Sequence, residues 1–345
     1  MKRLLLMISI TFLYSCKSNE IADFESTLKL GKAISVGTKF CVTDKVLGGI
    51  FNLQIADSVL ILLSDDGNGC LQLFNKLNYT YLQTNGIYGR GPGEFPNNLV
   101  EINVYRDTIQ VLDLQRNTVS LFHKQKFLTD SFAIADRIFQ IEKYNGCFDI
   151  FPVDSFYISR PSIKTRFAQY NLNGKHIKDY NIYPDFGPNI NEESKDYALR
   201  HYCFTKTKPD FTKFVSLSYI GGILEIFNIH DNSINKVTEI MFLDPNIKNS
   251  DDNISIVKDD TNIGFCGIYV TNKHIYASYS GLQFKDFKQK FLADYIIVFD
   301  WKGNPQKTYK VNSGLLGLTV DEELNRVYYI TKNQDGEDII GWFNL

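Results

Sequence analysis

Val298-Phe299-Asp300-Trp301-Lys302-Gly303 places an aromatic residue at the end of an apolar run and follows it with a polar turn closed by glycine. Glycine supplies the positive φ that a tight reversal demands, so the phrase reads as a strand running into a hairpin. Its first three residues have counterparts along the chain: Leu73-Phe74-Asn75, Leu121-Phe122-His123, Gln169-Tyr170-Asn171, Ile226-Phe227-Asn228 and Trp342-Phe343-Asn344. The central aromatics are 48, 48, 57, 72 and 44 residues apart. Self-similarity at such a period points to one supersecondary unit used six times.

Upstream of each aromatic lies a second strand-like run: Leu60-Ile61-Leu62-Leu63, Ile109-Gln110-Val111-Leu112, Phe156-Tyr157-Ile158, Phe214-Val215-Ser216-Leu217, Ile275-Tyr276-Ala277 and Arg326-Val327-Tyr328-Tyr329. A third run precedes five of these, over 50–56, 99–105, 148–153, 264–270 and 315–320, and Asp57, Asp107, Asp154, Asn272 and Asp321 close it with turn-forming residues. Each unit is then a short antiparallel meander. Six four-stranded meanders predict an all-β fold, a six-bladed β-propeller in which each blade buries its faces on its neighbours. The sixth copy runs to Leu345 and leaves no residues for its own outer strand, so the stretch 24–42 is expected to close the ring by pairing with the last blade. Residues 24–345 form the expected propeller.

Composition agrees with this architecture. The 345 residues are 44% apolar and 22% charged, a globular balance that excludes disordered and collagen-like chains. Twenty-six Phe and 20 Tyr favour strands over helices. A formal charge of -2 carries no basic excess that would announce a nucleic-acid partner. At the N-terminus, Lys2 and Arg3 precede an apolar run from Leu4 to Tyr14, which matches a secretory signal and falls short of the about 20 residues that span a bilayer. Leu13-Tyr14-Ser15-Cys16 resembles a bacterial lipobox. That resemblance implies a signal peptide over 1–15, lipidation at Cys16, a tether over 16–23 and attachment to the membrane through lipid alone. The expected address is the cell envelope, as an outer-membrane lipoprotein facing either the periplasm or the exterior, and a monomer. The other cysteines, Cys41, Cys70, Cys147, Cys203 and Cys266, lie far apart in apolar stretches with no C-x-x-C spacing, so buried thiols are expected, with no metal and no cofactor.

Blade geometry assigns loops to faces. The connections from one blade to the next leave the same end of the ring as the loops between the second and third strands, and the longest segments, 84–98, 183–200, 243–262 and 280–293, collect there. Long loops on a rigid scaffold are favoured places for recognition. Arg90, Arg116, Arg160, Arg166 and Arg200 belong to the same end. A guanidinium presents a fixed fork to carboxylates and sulfates, so these arginines, with Glu94, are the candidate ligand-binding residues for a glycan, peptide or envelope protein.

Gly86-Ile87-Tyr88-Gly89-Arg90-Gly91-Pro92-Gly93-Glu94-Phe95 lacks the Lys-Ser or Lys-Thr of a P-loop and the third glycine of a dinucleotide fingerprint. A tight corner between blades one and two explains it, with Phe95 as a packing plug and Glu94 bound to Arg90 or to a backbone donor. With the lipobox, Gly89-Arg90-Gly91-Pro92-Gly93-Glu94-Phe95 resembles the six-bladed propeller lipoproteins of Bacteroidetes, NHL-like and TolB-like in shape. The resemblance covers the whole mature chain and implies an envelope location, but no activity.

No catalytic constellation stands out. His123, His176, His201, His230 and His274 lack metal-ligand spacing, no G-x-S-x-G is present, and Ser64-Asp65-Asp66-Gly67-Asn68-Gly69 lacks the alternation of a calcium loop. A non-catalytic binding module on the long-loop face is therefore expected. The alternative is a propeller hydrolase or lyase with a metal in the central channel, for which Glu94, Asp185 and Glu192 are the carboxylates to inspect.

Overall fold

A computed structural model describes residues 32–345, apart from 44, 46, 65–66, 68, 92–93, 97–99, 143–146, 162–164, 185–200 and 247–256. The expected signal peptide, tether and lipidated Cys16 lie outside the described residues. Two short strands, β1 (Ile34–Val36) and β2 (Lys39–Phe40), come first. Six antiparallel sheets follow. Blade one is β3 (Ile50–Ala56), β4 (Val59–Ser64), β5 (Gly69–Asn75) and β6 (Tyr81–Ile87); blade two is β7 (Val100–Tyr105), β8 (Thr108–Asp113), β9 (Thr118–His123) and β10 (Arg137–Gln140). Blade three is β11 (Cys147–Val153), β12 (Phe156–Pro161), β13 (Phe167–Tyr170) and β14 (His176–Tyr180), and blade four is β15 (Cys203–Thr207), β16 (Lys213–Ser218), β17 (Gly222–His230) and β18 (Ser233–Leu243). Blade five is β19 (Phe265–Val270), β20 (His274–Tyr279), β21 (Ala293–Asp300) and β22 (Pro305–Leu315). Blade six has only β23 (Leu318–Asp321), β24 (Arg326–Lys332) and β25 (Asp338–Asn344) from its own stretch of chain.

The missing strand comes from the other end of the molecule. Lys39 and Phe40 pair antiparallel with Trp342 and Gly341, which makes β2 the outer strand of blade six. Just before it, β1 runs parallel along the outer edge of blade five, from Ile34 opposite Tyr309 to Val36 opposite Val311. The ring is therefore closed by the N-terminal segment. Polar contacts lock the same seam. Lys76 of blade one reaches Asp321 of blade six at 2.8 Å, both side chains buried, and the Tyr328 hydroxyl donates to the Lys76 carbonyl at 3.0 Å.

Continuous apolar runs form strands here because both faces of the middle strands are covered. In β4, Leu60 and Leu62 pack toward blade six, whereas Ile61 and Leu63 pack toward blade two. Strand β24 divides in the same way, with Val327 and Tyr329 facing blade five and Tyr328 and Ile330 facing blade one. Outer strands bury far less, as the mostly exposed His176-Ile177-Lys178-Asp179-Tyr180 of β14 shows. The two-residue a-to-b hairpins need a positive φ, which Asp57 and Asp154 adopt at 52° and 54°.

Six apolar clusters occupy the six interfaces between blades, and each receives one member of the repeated motif. Phe122 packs on blade one, Tyr170 on blade two, Phe227 on blade three, Phe299 on blade four, Phe343 on blade five and Phe74 on blade six. All six are buried. The motif thus marks the third strand of each blade and aims its aromatic ring at the blade before it.

Some boundaries depart from the sequence expectation. The fourth blade's inner strand, Cys203-Phe204-Thr205-Lys206-Thr207, is short and ends on three polar residues, so it has no apolar run to announce it. The last inner strand begins at Leu318 instead of residue 315, because Leu315 still pairs with Ala293 at the end of β22. The 72-residue spacing between Phe227 and Phe299 holds the eleven-residue β18 and a 280–292 connection with a short helix, Phe284–Phe287. Cys41, Cys70, Cys147, Cys203 and Cys266 remain thiols, three of them buried and two partly so.

Deleting residues 21–42 is expected to lower the melting temperature of the entire domain, because it unpairs β22 and β25 together; unchanged melting in calorimetry would refute closure by this segment. Phe122→Ala should cost about 3–5 kcal/mol in urea unfolding, the usual range for removing a fully packed ring. Lys76→Ala should cost about 3 kcal/mol or more, because it strands the buried Asp321 carboxylate.

Candidate functional site

The inner strands β3, β7, β11, β15, β19 and β23 surround the ring axis and enclose a cavity of ≈ 240 Å³ to which every blade contributes. Alternation along these strands decides what enters it. In β7, Ile102 turns into the core between blades one and two, so Glu101 and Asn103 on either side of it face the axis. The wall is uneven. Blades one to four supply Asn52, Gln54, Glu101, Asn103, Asp149, Thr205 and Lys206, whereas blades five and six supply Cys266, Ile268 and Leu318. A second cavity of ≈ 110 Å³ shares Gln54, Asn103, Tyr105 and Lys206 and continues toward Arg106 and Phe211.

The polar wall holds three hydrogen-bonded groups. Asn52 donates to Glu101 Oε1 at 2.9 Å, and Gln54 donates to Asn52 Oδ1 at 3.0 Å. Arg160 Nη2 donates to Asp149 Oδ2 at 3.4 Å, and Thr205 donates to the same oxygen. Lys206 donates to Asn103 Oδ1. Three atoms of the arginine–aspartate pair, Arg160 Nε and Nη1 and Asp149 Oδ1, have no hydrogen-bond partner among the described residues. Buried polar groups are normally satisfied, so orphaned atoms beside a cavity mark it as a place where a further partner fits.

Charge in this enclosure is strained but balanced. Burial pushes the Glu101 carboxyl up from the ordinary range, against the attraction of Lys206, and the nearby Asp149 adds to the rise. Burial pulls the Lys206 ammonium down, against the attraction of Glu101 and Asp149. Two carboxylates and two cations therefore share one small volume. Aromatic rings frame them. The Arg160 guanidinium lies 4.9 Å from the Phe148 ring and 4.7 Å from the Tyr202 ring, which in turn meets Phe204 edge-on at 5.5 Å. Phe148 stays 38% exposed and Phe51 62% exposed, large values for rings lining a cavity.

The arginines chosen from sequence are distributed over three settings. Arg160 is in the channel network. Arg116 sits at the corner between blades one and two, pairing with Asp113 at 3.7 Å and donating to the carbonyls of Glu94 and Gly89. Glu94 holds that corner, its carboxylate accepting from the Gly91 amide at 2.7 Å, while Phe95 fills the core between the two blades. Arg90 belongs to the same corner, next to Gly89, whose amide bonds the Phe95 carbonyl. Arg166 is instead buried between blades three and four, bonded to Glu225, Ser216 and the Ile182 carbonyl. Its fork faces protein and not the ring mouth. Arg200, Asp185 and Glu192 lie outside the described residues.

Glu101, Asp149, Lys206, Asn52 and Asn103 went unnoticed in the sequence. In the first two blades polar residues alternate with apolar ones along the inner strand, as in Asn52-Leu53-Gln54 and Glu101-Ile102-Asn103, a pattern that any half-exposed strand shares. Among the described residues no three His, Cys, Asp or Glu side chains converge as metal ligands would. Arg166→Ala should cost about 3–5 kcal/mol in chemical unfolding, since it leaves the Glu225 carboxylate buried beside Lys236 alone. Arg116→Ala, which removes a half-exposed side chain that meets the buried Asp113 at 3.7 Å while the Gln115 and Arg116 amides still hold that carboxylate, should cost about 1 kcal/mol.

Comparison with known proteins agrees with this architecture. A search of curated protein sequences finds no match. Among solved structures, the chain is similar to a Bacteroides fragilis NCTC 9343 protein described as exported, at 15% identity and a TM-score of 0.54, covering 90% of this chain and 93% of that one. It also matches the extracellular domain of a B. thetaiotaomicron protein described as a one-component system, at 12% identity and a TM-score of 0.46, over 86% of this chain and about a third of that one, 34%. At these identities the likeness is one of fold. The family model described as TolB-like 6-blade propeller-like matches residues 31–323. With six blades, six interfaces and a match over most of its length, this chain belongs to the TolB-like six-bladed propeller family.

Proposed function

We propose that this protein is an exported, lipid-anchored recognition module of the cell envelope that takes its ligand at the mouth of the central channel without altering it. The anchor rests on Leu13-Tyr14-Ser15-Cys16 behind a basic and apolar leader. Export is consistent with the description of the B. fragilis protein that shares the fold.

One observation carries the choice of site: Arg160 and Asp149 have polar atoms without a hydrogen-bond partner among the described residues, beside a cavity whose rim exposes Phe51 and Phe148. Exposed rings next to buried hydrogen-bonding groups are the usual composition of a ligand pocket. Among the arginines expected to contact ligand, Arg160 lines the cavity, whereas Arg90 and Arg116 belong to the corner between blades one and two. Arg166 supports blades three and four from behind.

Recognition without chemistry follows from the way the carboxylates are held. Glu101 is bonded to Asn52, and Asp149 to Arg160 and Thr205, so each is fixed by neighbours from adjacent blades. A metal-dependent hydrolase or lyase would need a third donor converging with them.

Thermal-shift screening of the full-length chain against glycans, peptides and small metabolites tests the proposal. A ligand present at 100 times its Kd should stabilise the protein by about 2.7 kcal/mol. Asp149→Asn and Phe148→Ala should remove that stabilisation, Arg90→Ala should leave it, and the ligand should be recovered intact by mass spectrometry. Stabilisation that survives both channel variants would move the site elsewhere, and recovery of cleaved ligand would make the protein an enzyme.

A further inference from the structure

We propose that the channel receives the terminal sugar of an uncharged glycan through its vicinal hydroxyls, a proposal that rests on the channel mouth being the ligand site. Size is the first constraint. The cavity of ≈ 240 Å³ lies below the roughly 300–1,000 Å³ typical of sites that engulf a drug-sized molecule, so it accepts one ring-sized group, with the remainder of a longer ligand left outside.

Charge is the second constraint. Glu101 and Asp149 balance Arg160 and Lys206, and the signs alternate in space: Arg160 is bonded to Asp149, and Lys206 feels both carboxylates. No pole of a single sign is left for an ionic group. A ligand carboxylate or sulfate seeking Arg160 meets Asp149 on the same guanidinium, and an ammonium seeking Glu101 meets Lys206. A hydroxyl both donates and accepts, so a pair of neighbouring hydroxyls suits a wall of interleaved carboxylates and amides. Asp149 Oδ1 is an acceptor without a partner among the described residues, and Asn52 and Lys206 stand nearby as donors.

The rim supplies the third constraint. Phe51 and Phe148 expose apolar ring surface at the opening of a polar pocket. A pyranose presents hydroxyls at its edge and C–H groups on its face, which is the division of polar and apolar surface that this site offers.

A glycan array with neutral, uronic-acid and sulfated oligosaccharides, followed by titration calorimetry of the full-length chain, tests the proposal. Peptides and free amino acids are titrated in parallel. Neutral glycans should bind; Glu101→Gln, Asp149→Asn and a monodeoxy version of the terminal sugar should each weaken binding about tenfold or more. Phe51→Ala, at an exposed position that leaves folding intact, should weaken it several-fold, with unchanged thermal melting of the unliganded variant. Binding confined to acidic glycans, peptides or amino acids, and still abolished by Phe51→Ala, would overturn the sugar assignment while keeping the channel as the site. Neutral-glycan binding that is indifferent to Glu101→Gln and Asp149→Asn would also overturn it. Absence of any channel-dependent binding would remove both proposals.

Discussion

Every blade of this protein has two apolar faces and one aromatic ring aimed at the blade behind it. Phe122, Tyr170, Phe227, Phe299, Phe343 and Phe74 are the same structural position repeated, and each needs a predecessor to cover it. For Phe74 in the first blade the only available predecessor is the last. A linear stack would leave Phe74, Leu60 and Leu62 in water at one end and Tyr328 and Ile330 at the other, so burial of these groups compels the ring. Closure then places six inner strands around an axis too wide for their side chains to fill, and the channel is a by-product of the same packing that stabilises the blades.

What occupies that axis differs from what occupies the interfaces. Interface positions are aliphatic or aromatic, as the buried face of each middle strand requires. The polar axis residues, Asn52, Glu101, Asp149 and Lys206 among them, come from four blades, and the other two line the axis with Cys266, Ile268 and Leu318. Polar groups drawn from separate blades can be held together only by a rigid frame, because each gains its partner across a gap in the sequence: Thr205 reaches Asp149, and Lys206 reaches Asn103. The rigidity of the ring and the existence of the site are thus one property. Arg166 and Glu225 join blades three and four through a buried ion pair, which Ser216 and the Ile182 carbonyl share.

Much of the fold was legible because burial writes itself into sequence. Val59-Leu60-Ile61-Leu62-Leu63 and Tyr328-Tyr329-Ile330 are apolar for a reason that needs no tertiary information, and Asp57 and Asp154 mark reversals by local backbone chemistry. The outer strand supplied by Lys39–Phe40 was deducible by elimination, although its pairing partner Trp342 was not. The site was far less legible. Glu101 in Glu101-Ile102-Asn103 looks like any solvent-facing residue of an amphipathic strand, and nothing local distinguishes an axis from bulk water. Arginines were chosen by loop position, and burial then separated them: Arg160 into the channel, Arg166 into an interface, Arg116 onto the backbone carbonyls of its own corner. Side-chain chemistry was readable, but the direction in which each side chain points depended on the register of strands from different blades.

Sealing the ring with β2 joins residues from opposite ends of the chain, Lys39 to Trp342, which has a kinetic corollary. A chain emerging N-terminus first must keep Ile34–Phe40 unpaired while four blades assemble, since β22 belongs to the fifth blade and β25 to the sixth. Contacts between distant segments form slowly, and unsatisfied strand edges are sticky while they wait. The final zippering step, more than any single blade, should govern how long the newly made protein needs a chaperone's protection.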